Sequence, residues 1–111
     1  MTDRITKLEK RIGQLVSEWA VLHSREFPEL TVITLQKINL SKDLSFAKIF
    51  ISSVQDTEKA CETLNDQSSE LRTLLSQKMN LKKVPKLAFS IDPLHLQLTK
   101  AQNVLDKHQD T

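Results

Sequence analysis

The sequence predicts an α+β domain in which helices cover one face of a three-stranded sheet. Three observations lead there. An N-terminal stretch repeats its apolar residues at helical spacing, a β-branched pair of segments follows across a short polar turn, and a long helical region separates that pair from a third alternating segment.

The first helix is expected from Asp3 to about Phe27. Ile5, Leu8, Ile12, Leu15, Trp19 and Leu22 recur at spacings of three and four, with Val16 beside them, while Arg4, Lys7 and Arg11 fall on another face. Thr2 or Asp3 is placed to cap its start. Gly13 costs a helix about 1 kcal/mol relative to alanine, so close packing is the expected reason for it, with close approach of RNA as the alternative. The seam is shorter than the three or four heptads that define a coiled coil, and a helix lying on a sheet uses the same positions. Phe27-Pro28-Glu29 is expected to end the helix, because proline disfavours helical geometry in the residue before it.

TVITLQKINL (31–40) then reads as a strand. Its apolar phase shifts between Ile33/Leu35 and Ile38/Leu40, which predicts a bulge near Gln36-Lys37. SKDLS makes a polar turn around Asp43. FAKIFISSV (46–54) is the second strand, with Ala47, Ile49 and Ile51 on one face and Phe46, Lys48 and Phe50 on the other. The short connection makes the two an antiparallel hairpin.

Asp56 or Thr57 starts a helical region running to about Asn80. Ala60, Leu64, Leu71, Leu75 and Met79 share a stripe in which Ser68 takes the missing place. One straight helix of about 23 residues would measure roughly 35 Å, whereas strands of eight or nine residues span about 27–30 Å. Asn65, Asp66, Ser68 and Ser69 all prefer caps and turns. A helix pair jointed at Ser68-Ser69, with Ser68 as cap, is therefore favoured over a continuous helix with a polar patch. KLAFSID, in which Leu87, Phe89 and Ile91 alternate, is the third strand, and Pro85 belongs at its start or on an edge. A helical crossover makes this strand parallel to the second, with right-handed connection. Asp92-Pro93 breaks it, and Leu94, Leu98, Ala101 and Leu105 mark a last helix before a frayed tail.

The chemistry is read mainly from charge. The chain has 111 residues and a net charge of +2, but residues 56–70 hold five acids against Lys59, while residues 71–91 hold Arg72, Lys78, Lys82, Lys83 and Lys86 and no acid. Such segregation creates a local positive field suited to a phosphate chain; a solvated lysine face is the plainer alternative. Trp19, Phe27, Phe46, Phe50 and Phe89 read mostly as core, so recognition of backbone and shape is expected rather than base stacking. His23, His95 and His108 are scattered, and no metal-ligand spacing, phosphate-cradling glycine loop or nucleophile elbow is present. No catalytic residue, metal, cofactor or small-molecule substrate is expected. The single cysteine, Cys61, points to a reducing cytoplasm. No membrane span or signal peptide is expected either.

The stretch INLSKDLSFAKIFIS (38–52) resembles the pattern V-E-hydrophobic-S-x-D-L-x-x-A-K-hydrophobic-aromatic-hydrophobic-S of ribosome-binding factor A. LNDQSSELRTLLSQKMNLKKVPKLAFSID (64–92) is similar to that family's L-N-x-A-x-G-hydrophobic-hydrophobic-R-x-x-L followed by L-x-x-V-P-E-L-x-F-x-x-D. The resemblance covers the chain from the first helix to about Asp92. It implies a KH-like domain in type II order over residues 1–93, with a kink between two helices replacing the Gly-x-x-Gly loop of ordinary KH domains, and residues 94–111 as an appended helix and tail. It further implies a non-catalytic factor, cytoplasmic and monomeric, that binds the 16S ribosomal RNA of the small (30S) subunit late in maturation. Such a factor assists 5′-end processing of that RNA and supports growth in the cold. Arg72 stands at the motif's arginine, and Val84-Pro85 and Asp92 match theirs. Gln67 and Ser69 replace the motif's alanine and glycine, Lys86 replaces its glutamate, and EFPELTV is shorter than the family's loop and lacks Asp-Pro-Arg.

The expected RNA-contacting residues are Ser68 and Ser69 at the joint, Arg72, Lys78, Lys82, Lys83 and Lys86 beyond it, and Lys7 and Arg11 as an extension. Two rival readings stay open: a protein-interaction module that pairs through the seam of the first helix, and a KH-like RNA binder with a target outside the ribosome.

Overall fold

The computed structural model describes residues 3–91. The elements run α1 (Asp3–Leu22), a 3-10 turn (Pro28–Leu30), β1 (Ile33–Leu40), β2 (Phe46–Ser53), α2 (Thr57–Asp66), α3 (Ser68–Lys78) and β3 (Lys86–Ile91). The sheet order is β1-β2-β3. β1 pairs antiparallel with β2, and β3 pairs parallel with β2, as the helical crossover requires. The cap expected at Thr2 or Asp3, the break at Asp92-Pro93 and the last helix lie outside the described residues and side chains.

Helix α1 buries Ile12, Leu15, Val16, Trp19 and Ala20 against the sheet. The middle of its seam is thus committed to the chain's own core, while Leu22 at its end, expected on the same stripe, is 78% exposed beside Val21. Gly13 is there for packing: a Cβ at that position would stand 2.9 Å from Ile38 Cδ1 and 3.5 Å from Leu35 Cδ1. One carboxylate fastens the same helix, since Glu9 Oε2 accepts the Leu40 amide at 2.9 Å. α1 stops at Leu22, five residues before the expected end. There the Trp19 carbonyl still accepts the His23 amide at 3.1 Å, with His23 Nδ1 donating to it at 2.9 Å, but the Ser24 amide and hydroxyl both turn to the Val21 carbonyl, at 3.4 and 2.9 Å, which takes the chain out of the four-residue ladder. The 3-10 turn, absent from the sequence reading, then drops Leu30 into the core and buries Glu29.

β1 starts at Ile33 rather than Thr31, because the Thr31 amide closes the 3-10 turn onto the Pro28 carbonyl and Val32 turns through φ 54°. Register slips between Leu35 and Lys37, at the predicted bulge. That extra residue lets Ile33/Leu35 and Ile38/Leu40 all face the helices. In the hairpin turn, Asp43 Oδ1 accepts from the Ser41 hydroxyl at 2.8 Å, the Ser45 hydroxyl at 2.7 Å and the Ser45 amide at 3.1 Å.

Asp56 caps α2 by accepting the Lys59 amide at 3.1 Å. The helical region does divide in two, but at Gln67. Ser68 is the first residue of α3, and Gln67 serves as its cap without a side-chain bond, at φ −95° and ψ 11°. This backbone lies in the bridge region open to any residue. Among the described residues, positive φ occurs at Val32, Leu44 and Asn80, none of them at the joint, so the motif's glycine can be replaced without strain. The joint is mild because the Gln67 amide still donates to the Thr63 carbonyl at 2.9 Å and the Leu71 amide to the Gln67 carbonyl at 3.0 Å. Ala60, Leu64, Leu71, Leu75 and Met79 are all buried, with half-buried Ser68 between them. α3 ends at Lys78 rather than Asn80, which takes φ 25°.

β3 is an edge strand, and the helix pair guards it. Asn65 Nδ2 donates to the Phe89 carbonyl at 3.0 Å, and its Oδ1 accepts the Phe89 amide at 2.8 Å. The Cys61 thiol donates to the same carbonyl at 3.0 Å, and burial raises its pKa, so it remains a protonated, unreactive group.

Replacement of Gly13 by valine is expected to lower stability by about 2 kcal/mol through overpacking against β1. Urea denaturation checks this; an unchanged midpoint would contradict the packing assigned to Gly13.

Candidate nucleic-acid interface

The expected site residues are spread over several separate places. Ser68 and Ser69 open α3, Ser68 half-buried on the core side and Ser69 exposed. The ladder bonds at Gln67 and Leu71 leave the amides of residues 68–70 at a helix N-terminus, where backbone donors favour an anion. Glu70 in this first turn offsets that field.

Lys82, Lys83 and Lys86 form the second location, on the segment leading into β3, and all three are exposed. The Lys86 amide donates to the Ser45 carbonyl at 3.0 Å, which draws this segment against the β1–β2 turn. Lys83 is close enough to help hold the Asp43 carboxyl down. Exposed Lys42 in that turn joins the same end of the sheet. The sequence reading missed it, having taken SKDLS only as a turn; the available signal was a lysine beside the turn-forming aspartate.

Arg72 has another task. Its Nε donates to the Pro85 carbonyl and its Nη2 to the Val84 carbonyl, both at 3.2 Å. A half-buried guanidinium held in this way positions the lysine segment against α3. Lys78 stands apart, on a groove of about 470 Å³ between α1 and α3 that Leu15, Trp19, Leu22 and Leu74 also line. In that region the Trp19 ring stacks on His23 at 4.1 Å between centroids, and Trp19 Nε1 is buried with no partner. Lys7 and Arg11 are exposed on α1, where Arg11 Nη1 donates to Gln14 Oε1 at 3.0 Å.

Two aromatic residues expected mostly as core are found elsewhere. Phe46 is 42% exposed, and half-buried Phe50 lies on the same side of β2, away from the helices. Trp19 and Phe89 are buried, and Phe27 packs on the core.

A helix, a hairpin, a jointed helix pair and a parallel third strand define this chain as a KH-like domain in type II order. The family model for ribosome-binding factor A matches residues 4–105. Ribosome-binding factor A of Buchnera aphidicola subsp. Acyrthosiphon pisum (strain Tuc7) is 34% identical over 112 residues, covering 95% of this chain and 90% of the relative. That of Stutzerimonas stutzeri (strain A1501) is 40% identical over 92 residues, covering 75% of this chain and 71% of the relative. The chain belongs to the ribosome-binding factor A family. The fold agrees: the crystal structure of ribosome-binding factor A from Thermus thermophilus superposes with TM-score 0.69 at 23% identity, covering 78% of this chain and 92% of that one. A Thermus thermophilus ribosome binding factor A model fitted into a cryo-EM map of a 30S complex superposes with TM-score 0.61 at 22% identity, covering 76% and 90%.

Asp43 supplies a pH test of the turn that carries Lys42. Its carboxyl is held at about 2, against an ordinary 3.8, by the Ser45 hydroxyl first, then the Ser41 hydroxyl and the Ser45 amide. Its stabilising effect is complete above pH about 4 and is lost as pH falls toward about 2, since the folded form favours the ionised group. NMR titration of the carboxyl is expected to give a midpoint near 2, and the thermal midpoint of Asp43→Asn should converge on that of the native chain over this interval. A carboxyl midpoint near the ordinary value would contradict the turn.

Proposed function

We propose that this chain is a non-catalytic assembly factor that binds the 16S ribosomal RNA of the small subunit during late 30S maturation. In this reading it aids 5′-end processing and growth in the cold, and works in the cytoplasm as a monomer, without cofactor or small-molecule substrate. Residues 1–93 are the binding unit, with 94–111 appended. Family membership supports the ribosomal target, as does the relative whose model was fitted into a 30S complex. No described helix is long and apolar enough to cross a membrane.

The observation that carries the reading is the basic end of the sheet. Exposed Lys82, Lys83 and Lys86 sit beside the turn bearing Lys42, a geometry in which several ammonium groups meet one phosphate chain. Ser68 and Ser69 add helix N-terminal amides to the reading, and Lys78, Lys7 and Arg11 extend the positive surface toward α1. Arg72 contributes by holding the lysine segment through the Pro85 and Val84 carbonyls.

Reversal of Lys82 and Lys83 to glutamate is expected to weaken binding to small-subunit particles at least tenfold at moderate salt, leaving circular dichroism and melting unchanged. Sedimentation with purified 30S particles over a salt series gives both affinity and slope. Native-like affinity in the double variant would reject the assigned surface.

A further inference from the structure

Among the described residues, the helices pack on one face of the sheet. On the other, alternation along β2 presents Phe46, Lys48, Phe50 and Ser52, β1 contributes Thr34, Lys37 and Asn39, and β3 contributes Lys86, Ala88 and Ser90. Register makes this a compact lattice. Phe46 pairs with Lys86, Lys48 lies between Asn39 and Ala88, and Phe50 lies between Lys37 and Ser90. Directly opposed side chains in a sheet stand about 5 Å apart at Cβ, so each ring has a cation or small polar neighbour beside it. Lys48 Nζ sits over the Phe50 ring at 5.2 Å from its centroid.

This face therefore holds two phenylalanine rings and three lysines, with no aspartate or glutamate among the strand residues just named. Two rings set among three cations make this face amphipathic, suited to a partner that offers both flat apolar groups and negative charge. Phe46 and Phe50, four residues apart on β2, are separated by about 13 Å with Lys48 midway. Rings that accept bases, separated by ammonium groups that accept phosphates, match the repeating chemistry of a single nucleic-acid strand.

We propose that the sheet face opposite the described helices is a second RNA surface, one that takes single-stranded RNA by stacking unpaired bases on Phe46 and Phe50 while Lys37, Lys48 and Lys86 hold the phosphates. It differs from the basic end in what it reads: the lysine segment suits a backbone of any structure, whereas this face requires bases free of a duplex. Lys86 borders both surfaces. The small size of Ala88 and Ser90 on the β3 side leaves room for a base to approach the rings.

The test uses the full chain and a fluorescent decauridylate RNA, with a duplex RNA of equal length for comparison. Phe46→Ala and Lys48→Glu are each expected to weaken decauridylate binding at least fivefold, with melting unchanged, while Phe46→Trp retains it. Three phosphate contacts to a single strand give a log–log salt slope of about −2, and Lys48→Glu should reduce its magnitude. The Lys82→Glu/Lys83→Glu variant should keep most decauridylate affinity, so a failure of the basic-end assignment is separable from a failure here. No decauridylate binding by the native chain, native affinity in both Phe46→Ala and Lys48→Glu, or equal loss of duplex binding would overturn the proposal. A dimer in sedimentation that is abolished by Phe46→Ala, without RNA affinity, would equally overturn it and make the face a contact between copies.

Discussion

A third strand parallel to the second forces the chain to recross the sheet between Ser53 and Lys86, and the crossing must also protect an exposed edge. Asn65 and Arg72 meet both demands. Asn65 pairs the outward amide and carbonyl of Phe89 as a neighbouring strand would, and Arg72 takes the carbonyls of Val84 and Pro85 just before the strand begins. The edge is thus held at two heights by side chains from two successive helices. Each such bond contributes about 1 kcal/mol net, somewhat more for the charged pair, and together they are a sizeable part of a small domain's stability of about 5–15 kcal/mol. The joint at Gln67 lies between these two attachments. It need only redirect the helix enough for both to form, so an ordinary bridge-region backbone is sufficient.

That geometry also explains why the departures from the family's motif leave the fold intact. Glycine is favoured where φ is positive and required where a side chain would collide with a fixed neighbour. Neither Ser68 nor Ser69 has positive φ, and Ser69 is exposed. The one position that does need glycine is Gly13, far from the joint, where α1 presses on Ile38 and Leu35. On the basic end, lysine in place of the motif's glutamate at position 86 adds a cation where the turn and the strand meet.

Much of this was legible in the residues, for identifiable reasons. Wherever a face is buried, periodicity reports it: the α1 stripe from Ile12 to Trp19, the phase shift at Gln36 and the stripe from Ala60 to Met79 all appear in the structure, whereas Leu22 continues the α1 period into solvent. Asp43 announced its turn because its carboxylate needs donors nearby in sequence. The misplacements arise where a distant partner decides. Serine's capping preference pointed to Ser68, but the break falls at Gln67, between the Asn65 and Arg72 attachments to β3 and the segment before it, and Gln67 carries no local signal of that. Arg72 was read by its charge, whereas its hydrogen bonds to two carbonyls are set by the fold. The end of α1 was assigned to Pro28, yet the Ser24 bonds to the Val21 carbonyl end it earlier. For Phe46 and Phe50, the alternation had already put them opposite Ala47, Ile49 and Ile51. Only the finding that the described helices pack on the other side makes that position an exposed one.

The central claim, that Asn65 completes the β3 edge and thereby sets the helix pair, is tested most directly by amide hydrogen exchange at Phe89. An outward amide on an uncovered edge strand exchanges rapidly, whereas one bonded to Asn65 Oδ1 should be protected to nearly the level of the core strands. In Asn65→Ala, Phe89 should exchange orders of magnitude faster while amides within the β2–β3 ladder keep most of their protection. Fast exchange at Phe89 in the native chain, or unchanged protection in the variant, would contradict the account.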